Sequence, residues 1–476
     1  MAKIIGRSKE IATLRQYINS DKTEFIAVYG RRRVGKTFLI REMFRNEFAF
    51  EVSGTIDGKK SEQMFNFTQA LERFGYDGSE KPTTWNSAFA LLQKLLEEKA
   101  RSQRCIIFID ELPCFDTPKA GFVRALDHFW NGWASNFSNI KLIVCGSATS
   151  WMVDNIIDNH GGLHNRITHE IHLCPFTLSE AETYFKEYGF EWNRLSVLQA
   201  YMALGGIPYY YSLLDNRRSL AQNIDSLFFQ EGGEMRREHD RLFKSLFKSP
   251  DAYLSVIKVL SENKQGLSRE EIATQAKLSN NGYLTKLLTN LVNCDFIRVF
   301  QVKEKKIKAN AMLYQLTDLF TLFHYTFAQK KTTDEHYWSN MLGTGKMNSW
   351  LGLAFERVCM LHIPQIKTAL GIDRIHTEYY SWRSKYSQPA AQIDLIIERA
   401  DQLVNICEVK YSEYPYSISK TEESRLRNRI GCFQEETQTR GGIHLTFITT
   451  FGVKKNVHSD AVKNEITLDD LFSMPR

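Results

Sequence analysis

The clearest chemical motif of the chain is the segment GRRRVGKT, which follows an apolar stretch and precedes the helical pattern FLIREMF. Its spacing, G-x4-G-K-[ST], is typical of a phosphate-binding loop, in which glycines let the backbone approach an anion and a helix N-terminus points N–H groups at it. We expect Lys36 to reach the β- and γ-phosphates of a nucleotide and the Thr37 hydroxyl to bind Mg2+. The residues predicted to surround the nucleotide are Gly30, Arg31, Arg32, Arg33, Val34, Gly35, Lys36, Thr37 and Phe38.

Two further strand-like runs end in polar residues suited to nucleotide chemistry. The run CIIFID ends at Asp110 and is followed by Glu111. Buried parallel strands read as continuous apolar runs, and their carboxyl ends meet at one edge of the sheet. We therefore expect Asp110 to contribute to the Mg2+ site and Glu111 to be the catalytic base that polarises the attacking water. The run KLIVCGS places Ser147 where a hydroxyl would sense the γ-phosphate.

A second set of chemically active residues lies in the last third of the chain. AQIDLIIER and LVNICEVKYS read as two strands joined by a polar turn. Glu408 and Lys410 are two residues apart on the second strand and so face the same side, while Asp394 lies on the first. Two carboxylates and one lysine suit a hard divalent cation. We expect Asp394, Glu408 and the Val409 carbonyl to bind Mg2+. Lys410 would orient or deprotonate a water that attacks a phosphate.

Three helical patterns and a β-ribbon separate these two sites. DAYLSVIKVLSE, LSREEIATQAKLS and NNGYLTKLLTNLVN read as helices, with Ser268 as the N-cap of the second, and IRVFQVKEKKIKANAMLYQLT reads as the ribbon. This order predicts a winged helix-turn-helix. Asn280, Asn281 and Lys286 would contact DNA, or the same module would serve packing or protein contact with a solvated ribbon tip. The lysines of the tip are Lys303, Lys305, Lys306 and Lys308.

The composition is globular and mildly basic. Of 476 residues, 43% are apolar and 24% charged, which excludes wholesale disorder and a fibrous repeat. Lys and Arg outnumber Asp and Glu by 61 to 55, an excess that permits a nucleic-acid partner without requiring one. The N-terminus lacks a secretory apolar stretch, no apolar run approaches the roughly 20 residues of a membrane span, and the cysteines form no CxxC pair. We therefore expect a cytoplasmic protein without a membrane partner.

Several motifs of the first half resemble a known family. IGR followed by KEIATL, YGRRRVGKT, IFIDEL and the CGS strand are similar to the archaeal-type ATPases, a prokaryotic branch of the AAA+-like P-loop NTPases related to the STAND class. The resemblance implies ATP and Mg2+ as cofactors, and it makes GGIPYY the motif of a helical lid. Arg166 matches an arginine that touches the γ-phosphate in cis or from a neighbouring copy, which leaves a homo-oligomer open, although Asn165 replaces the usual glycine. A plain surface arginine is the alternative.

The C-terminal pattern resembles the PD-(D/E)XK nuclease superfamily, here in its D…ExK form, a domain that archaeal-type ATPases often carry. That fold often adds a glutamate from a preceding helix, and LGLAFERVCML supplies Glu356 as a further metal ligand. The helix from about Ser419 would present Lys420 and a basic run to a phosphate backbone. The basic run comprises Arg425, Arg427 and Arg429.

Together these patterns predict a multidomain α/β protein. Its parts are a P-loop NTPase core with a parallel sheet (1–175), a helical lid (176–248), a winged helix (249–330) and a restriction-endonuclease-like α/β domain (331–476). The function predicted first is ATP binding and hydrolysis coupled to DNA binding and Mg2+-dependent phosphodiester cleavage. The alternative is an ATP-dependent switch or scaffold that binds DNA or protein and carries an inactive nuclease-like domain.

Overall fold

Two β-sheets organise the described part of the chain, one in each of two units. The computed structural model describes residues 3–158, 163, 165–303, 311–329, 332–384 and 391–474. The first unit comprises residues 1–175 and 242–250, and the second comprises residues 176–241 and 251–476.

The first unit is built on five parallel strands in the order β2-β3-β4-β1-β5. These strands are β1 (Glu24–Tyr29), β2 (Phe48–Ser53), β3 (Cys105–Asp110), β4 (Ile140–Gly146) and β5 (His169–His172). The helices are α1 (Ser8–Ile18), α2 (Lys36–Phe44), α3 (Lys60–Arg73), α4 (Trp85–Ser102), α5 (Phe122–Gly132) and α6 (Thr149–Met152).

The central strands β3 and β4 of this sheet are buried along their whole length and are apolar except for Asp110 and Lys141, because both of their faces are covered. Every residue of β3 and β4 is buried, and their side chains join the aromatic residues of α4 and α5 in one core. Trp85 packs edge-on against Phe115 and Phe122 in this core. Burial on both faces is the pattern of a parallel sheet covered by helices, and the carboxyl ends of such strands form the edge where ligands bind.

The second unit contains most of the helices and a mixed sheet. The helices that follow α6 are α7 (Leu178–Glu187), α8 (Arg194–Leu204), α9 (Pro208–Tyr211), α10 (Leu220–Ile224), α11 (Glu238–Leu246), α12 (Pro250–Glu262), α13 (Arg269–Gln275), α14 (Gly282–Asn293), α15 (Leu319–Phe323), α16 (Tyr337–Met341), α17 (Gly345–Leu361), α18 (Ile363–Ala369), α19 (Lys420–Thr437) and α20 (Leu468–Leu471). Part of α11 belongs to the first unit. The strands are β6 (Ile297–Lys303), β7 (Ala311–Leu316), β8 (Thr377–Arg383), β9 (Gln392–Arg399), β10 (Leu403–Lys410), β11 (Gly442–Thr449) and β12 (Val462–Ile466).

The seven strands of the mixed sheet follow the order β12-β11-β10-β9-β8-β6-β7. β9 runs antiparallel to β8 and β10, whereas β10, β11 and β12 run parallel. Apolar side chains of β8 to β11 pack against Leu426 and Phe433 of α19, and Trp382 meets Phe433 edge-on. The sheet thus fixes the strands that carry the predicted metal-binding carboxylates.

The segment predicted as a winged helix consists of α12, α13, α14 and the antiparallel ribbon of β6 and β7. Ser268 caps α13 with a reciprocal capping box to Glu271. The ribbon is part of the large sheet, because β6 pairs in parallel with β8 at Val302 and Ser381. This differs from the sequence expectation of a separate module. Lys305, Lys306 and Lys308 of the predicted tip, and the side chain of Lys303, lie outside the described residues.

The expectation of an α/β protein with a parallel P-loop sheet is confirmed, and a separate mixed sheet is present. None of the helices in the described ranges is long and apolar enough to cross a membrane. Each of the two sheets carries strands from one of the two groups of chemically active residues that the sequence indicates.

Candidate functional sites

The phosphate-binding loop connects the end of β1 to the start of α2. Lys36 is the first residue of α2, and its ammonium donates hydrogen bonds to the carbonyls of Gly30 (2.8 Å) and Arg31 (3.0 Å). Gly35 precedes the helix with a φ of 97°. The backbone of the loop therefore surrounds the buried lysine. A phosphate that binds there would replace the two carbonyls as the hydrogen-bond acceptor of the Lys36 ammonium.

Other residues predicted to line the nucleotide occupy different positions in this loop. Arg31 and Val34 are buried, while Phe38 is exposed on the first turn of α2. The Val34 carbonyl accepts a hydrogen bond from Arg7 (3.2 Å), which ties the IGR segment to the loop. Arg33 adopts a left-handed backbone with a φ of 71°. Arg32 is half-buried.

Gly30 is required by the close approach of two strands. Its φ is +140°, and β5 continues past it, with the Leu173 amide donating to the Tyr29 carbonyl at 2.8 Å. A Cβ atom at position 30 would lie 2.4 Å from the Leu173 carbonyl oxygen. Because that neighbour is backbone, the clash cannot be relieved by rotating a side chain.

We expect Gly30→Ala to lower the free energy of unfolding by about 3 kcal/mol, since it combines backbone strain with a steric clash. Gly75→Ala is the matched control, because Gly75 has a φ of +108° but no atom within 4 Å of a built Cβ. This control should lose only about 1–2 kcal/mol. Urea unfolding of both variants checks the difference, and equal losses would show that the Leu173 contact is unimportant.

Thr37 and Asp110 form the part of the loop suited to a cation. The Thr37 hydroxyl lies 3.0 and 2.9 Å from the two carboxylate oxygens of Asp110 at the end of β3, and the Ser53 hydroxyl approaches one of them at 3.4 Å. Burial, and then the neighbouring Glu111 charge, raise the pKa of Asp110. A buried carboxylate beside a hydroxyl fits Mg2+, which would offset both destabilising influences.

Glu111 follows β3 in a left-handed conformation with a φ of 46°. Its carboxylate accepts hydrogen bonds from both the hydroxyl (2.8 Å) and the amide (3.2 Å) of Ser147, which directly follows β4. The structure therefore brings together the predicted base and the predicted γ-phosphate sensor. In this arrangement a change in the hydrogen bonding of the Ser147 hydroxyl would also change the hydrogen bonding of the Glu111 carboxylate.

Arg166 lies in the first unit, and the GGIPYY segment lies in the second. Arg166 is exposed, and its amide donates to the Leu163 carbonyl at 3.0 Å. In the second unit, Gly205 ends α8 in a left-handed conformation, and Pro208 begins α9. A Cβ on Gly206 would lie 2.6 Å from the Phe176 carbonyl, so the two glycines permit a sharp turn between helices.

The carboxyl-terminal strands bring a second group of charged residues together. Cys407 pairs with Leu395 in the antiparallel β9–β10 ladder, so that Glu408 and Asp394 are the next residues on the two strands. The Lys410 ammonium lies 2.7 Å from one Glu408 oxygen, and Arg429 of α19 lies 2.9 Å from the other. Asp394 accepts a hydrogen bond from the Gln392 amide at 2.7 Å.

Glu356 of α17 belongs to this same electrostatic cluster. Burial raises its pKa to about 7, and the charges of Asp394 and Glu408 act in the same direction, whereas Arg357 and Lys410 oppose them. Two carboxylates that disfavour the ionisation of a third, Glu356, form with it a donor set that a hard divalent cation would stabilise. The residues present therefore fit Mg2+, with Glu356, Asp394 and Glu408 as the protein ligands.

The Lys410 charge is set by opposing influences. Burial lowers its pKa, but Glu408 and, at 3.6 Å, Glu422 together raise it above the ordinary value. Lys410 is thus a cation at neutral pH in this arrangement. Between the two roles expected from the sequence, this charge state favours orienting the water over removing its proton.

We expect the stabilisation by Mg2+ to increase with pH because of Glu356. A pKa raised from 4.5 to about 7 means that the folded state binds this proton more tightly than the unfolded state, so metal-free stability falls as pH rises from about 4.5 to about 7. Mg2+ needs the ionised carboxylate, and the rise in melting temperature on adding Mg2+ without nucleotide should be larger at pH 8 than at pH 6. Glu356→Gln should reduce the pH dependence, and the part that remains belongs to Asp110, whose pKa is also raised. Glu270→Gln, at an exposed position of α13, should leave the pH dependence unchanged, and an unchanged Glu356→Gln profile would contradict the assignment.

The roles of several residues in the second cluster are not predicted by the sequence. Glu422 lies near Lys410 and also accepts hydrogen bonds at 2.7 Å from the Tyr416 hydroxyl. The basic run on α19 was expected to face a phosphate backbone, but Arg429 pairs with Glu408 and Arg427 pairs with Glu423 on its own helix. The i, i+4 spacing of Glu423 and Arg427 was a usable signal, whereas the Arg429 pair depends on how α19 packs against the sheet.

The parallel sheet, the glycine-rich loop and the acidic end of β3 define a P-loop ATPase. Residues 4–214 match the model of a family described as an ATPase domain predominantly from Archaea. Residues 4–214 therefore match an archaeal-type ATPase domain, which confirms that part of the sequence-based expectation.

One of two relatives matches a longer part of the chain than this domain. The chain is 24% identical over 357 residues to an uncharacterized protein of Methanocaldococcus jannaschii, a match that covers 74% of this chain and 76% of the relative. It is 42% identical over 43 residues to an uncharacterized ATP-binding protein of the same organism, covering 9% of this chain and 73% of that protein.

Two solved structures are similar to the chain at low identity. A Walker-type ATPase of Pyrococcus abyssi is 18% identical, with a TM-score of 0.46, and the match covers 68% of this chain and 96% of that one. The ORC2 protein of Aeropyrum pernix, in ADPNP–ADP complexes, is 14% identical, with a TM-score of 0.41, covering 71% of this chain and 96% of that one.

Proposed function

We propose that this protein couples ATP hydrolysis to DNA binding and to Mg2+-dependent cleavage of a phosphodiester by its second unit. The observation that carries the proposal is the clustering of Asp394, Glu408 and Lys410 around Glu356. Asp394 is exposed, whereas Glu356 and Glu408 are partly buried, and carboxylates removed from water are costly unless they are paired or bind a metal. A site with more acidic groups than a structural ion pair needs is therefore best explained by a cation that the reaction uses.

Each residue of this site would have a separate role in hydrolysis. Mg2+, when bound, supplies Lewis-acid activation of a phosphate oxygen. Asp394, Glu408 and Glu356 hold the cation in place, and the Val409 carbonyl completes the protein ligands. Lys410 orients a water so that its oxygen attacks phosphorus and a sugar oxygen leaves.

For the ATPase domain we propose residue roles that follow the geometry of the loop. Lys36 exchanges its contacts with the Gly30 and Arg31 carbonyls for the β- and γ-phosphates. Thr37 and Asp110 hold Mg2+. Glu111 polarises the attacking water, and its bonds to Ser147 link the γ-phosphate position to the base. Arg166 contacts the γ-phosphate in cis or from a neighbouring copy, in which case the protein is a homo-oligomer.

We propose that α12 to α14 with the ribbon form a winged helix that recruits duplex DNA. Leu284, Leu287, Leu288 and Leu291 bury one face of α14, which leaves Tyr283 and Lys286 exposed on the other. These exposed side chains suit a groove and a phosphate. Asn281 has a different task from the one expected of it, because its side chain caps α14 by accepting from the Tyr283 amide at 2.9 Å.

One observation favours the alternative of a nucleotide-dependent switch with an inactive nuclease-like domain. Both oxygens of Glu408 are paired, one with Lys410 and one with Arg429. Two cations on one carboxylate reduce the need for a metal, as in a domain that has kept its fold and lost its activity. Cleavage of plasmid DNA in the presence of Mg2+ and ATP, abolished by Lys410→Met, tests the two accounts against each other.

A further inference from the structure

The ribbon of the proposed winged helix contributes a strand to the sheet of the proposed nuclease site. Val302 of β6 is paired with Ser381 of β8, and the Ser381 hydroxyl donates to the Asp394 carbonyl of β9 at 2.6 Å. Arg298 lies four residues before Val302 on β6. A residue of the ribbon is thus connected through three adjacent strands to the metal-binding carboxylates.

The Arg298 side chain is held at two points. It faces Gln315 across the β6–β7 ladder, its Nε donates to the Gln315 Oε1 at 2.8 Å, and its Cζ lies 4.7 Å from the centre of the Phe300 ring. Gln315 is fixed in turn by a 2.8 Å hydrogen bond to the Lys264 carbonyl. Within the part of the chain that the structure describes, the two Nη nitrogens of Arg298 donate no hydrogen bond and form no ion pair. One edge of the guanidinium is therefore anchored, and the other has no hydrogen-bond partner among the described residues.

The charges near Arg298 are of both signs. Burial lowers its pKa to about 10, and Arg357 acts in the same direction, while Tyr379 and Asp394 oppose them. The residue remains a cation at neutral pH. Arg357 donates to the carbonyls of Leu316 and Lys264, and its guanidinium lies 4.0 Å from the Glu356 carboxylate. An anion placed against the unbonded edge of Arg298 would stabilise a charge that burial disfavours.

An exposed aromatic ring accompanies this charge. Tyr379 of β8 has 56% of its surface exposed, although Tyr380 and Trp382 of the same strand are buried. Tyr379 acts electrostatically on Arg298. A guanidinium and an exposed aromatic ring in one neighbourhood can together bind a phosphate and stack on a base.

We propose that Arg298 binds a phosphate of the nucleic-acid strand that occupies the Asp394–Glu408 site, with Tyr379 as the adjoining base contact. The inference rests on the proposed nuclease function and adds a substrate-binding residue from the ribbon. The winged helix would then supply part of the cleavage site, and the DNA that it recruits would enter that site in one fixed register.

The test measures binding of a fluorescent DNA duplex in the Lys410→Met background, where cleavage cannot interfere. Arg298→Gln should weaken binding about tenfold, as expected for a charge-assisted hydrogen bond at a partly exposed site, and should reduce the salt dependence by about one phosphate contact. Arg298→Met keeps the packing on Phe300 and serves if the glutamine variant does not fold. Arg217→Gln is the control, because Arg217 is 86% exposed and pairs with Asp215 at 2.9 Å.

In the cleavage-competent protein, Arg298→Gln should raise KM with little change in kcat, and the melting temperature should report any purely structural loss. Folded Arg298 variants with wild-type DNA affinity and salt dependence would overturn the inference while leaving the nuclease proposal intact. Failure of the wild-type protein to bind or cut any DNA would instead overturn the proposed function on which the inference rests.

Discussion

Glu111→Gln is expected to bind ATP normally and to hydrolyse it about a hundredfold to a thousandfold more slowly, whereas Lys36→Ala is expected to lose both binding and hydrolysis. Glutamine keeps the shape of Glu111 and can still accept from the Ser147 hydroxyl, but it cannot polarise water as a base. Lys36 is the buried cation of the phosphate loop, so its removal takes away the charge that attracts the phosphates.

Equilibrium binding of a fluorescent ATP analogue and steady-state phosphate release separate these outcomes. Lys94→Ala is the control for Lys36→Ala, because Lys94 is 66% exposed on α4 and its ammonium lies 3.6 Å from Glu80. The control should bind and hydrolyse ATP like the wild type. Normal turnover by Lys36→Ala would overturn the assignment of the phosphate loop, and normal turnover by Glu111→Gln would remove Glu111 from the reaction.

Lys410→Met should abolish DNA cleavage while leaving the fold and the ATPase in place, with a fall in the cleavage rate of about a hundredfold to ten-thousandfold. The carboxylates around Lys410 keep other partners after the change: Glu408 retains Arg429, and Glu422 retains the Tyr416 hydroxyl. The loss would therefore be one of chemistry and not of packing. Gel analysis of supercoiled plasmid, with ATPase rates measured on the same samples, records both quantities.

A matched control for this prediction lies on the same unit. Lys455→Met removes an 82% exposed lysine that pairs with Glu465 at 2.8 Å. It should cut plasmid like the wild type. A nuclease activity that survives in Lys410→Met as well as in the control would have to come from another site or another protein.

The features that depend on residues close together along the chain could be predicted from the sequence. The apolar run before GRRRVGKT and the run CIIFID indicate two buried strands, because a parallel strand covered on both faces is mainly apolar, with polar residues at its ends. The two-residue spacing of Glu408 and Lys410 likewise requires that they share a face. Asn281 was also readable as an N-cap, since asparagine before a helical pattern favours that role over base contact.

The features that depend on pairing between strands far apart along the chain could not be predicted from the sequence. The union of the ribbon with the C-terminal sheet rests on two residue pairs, Val302 with Ser381 and Lys303 with Trp382, which are nearly eighty positions apart along the chain. Neither strand has a sequence pattern that selects its partner, because edge pairing is decided by backbone groups common to all residues. For the same reason, the sequence could not predict the contacts of Arg298 or the Arg429–Glu408 pair, because these contacts depend on which element packs beside each residue.

Plasmid cleavage by wild type and Lys410→Met, side by side with Mg2+ and ATP, is the most direct measurement of the proposed coupling. We predict that the wild-type protein nicks or linearises the plasmid, that chelation of Mg2+ stops it, and that Lys410→Met leaves the plasmid supercoiled. Plasmid left equally intact by both proteins over a panel of duplex and single-stranded DNA would contradict the nuclease account and favour a nucleotide-dependent switch.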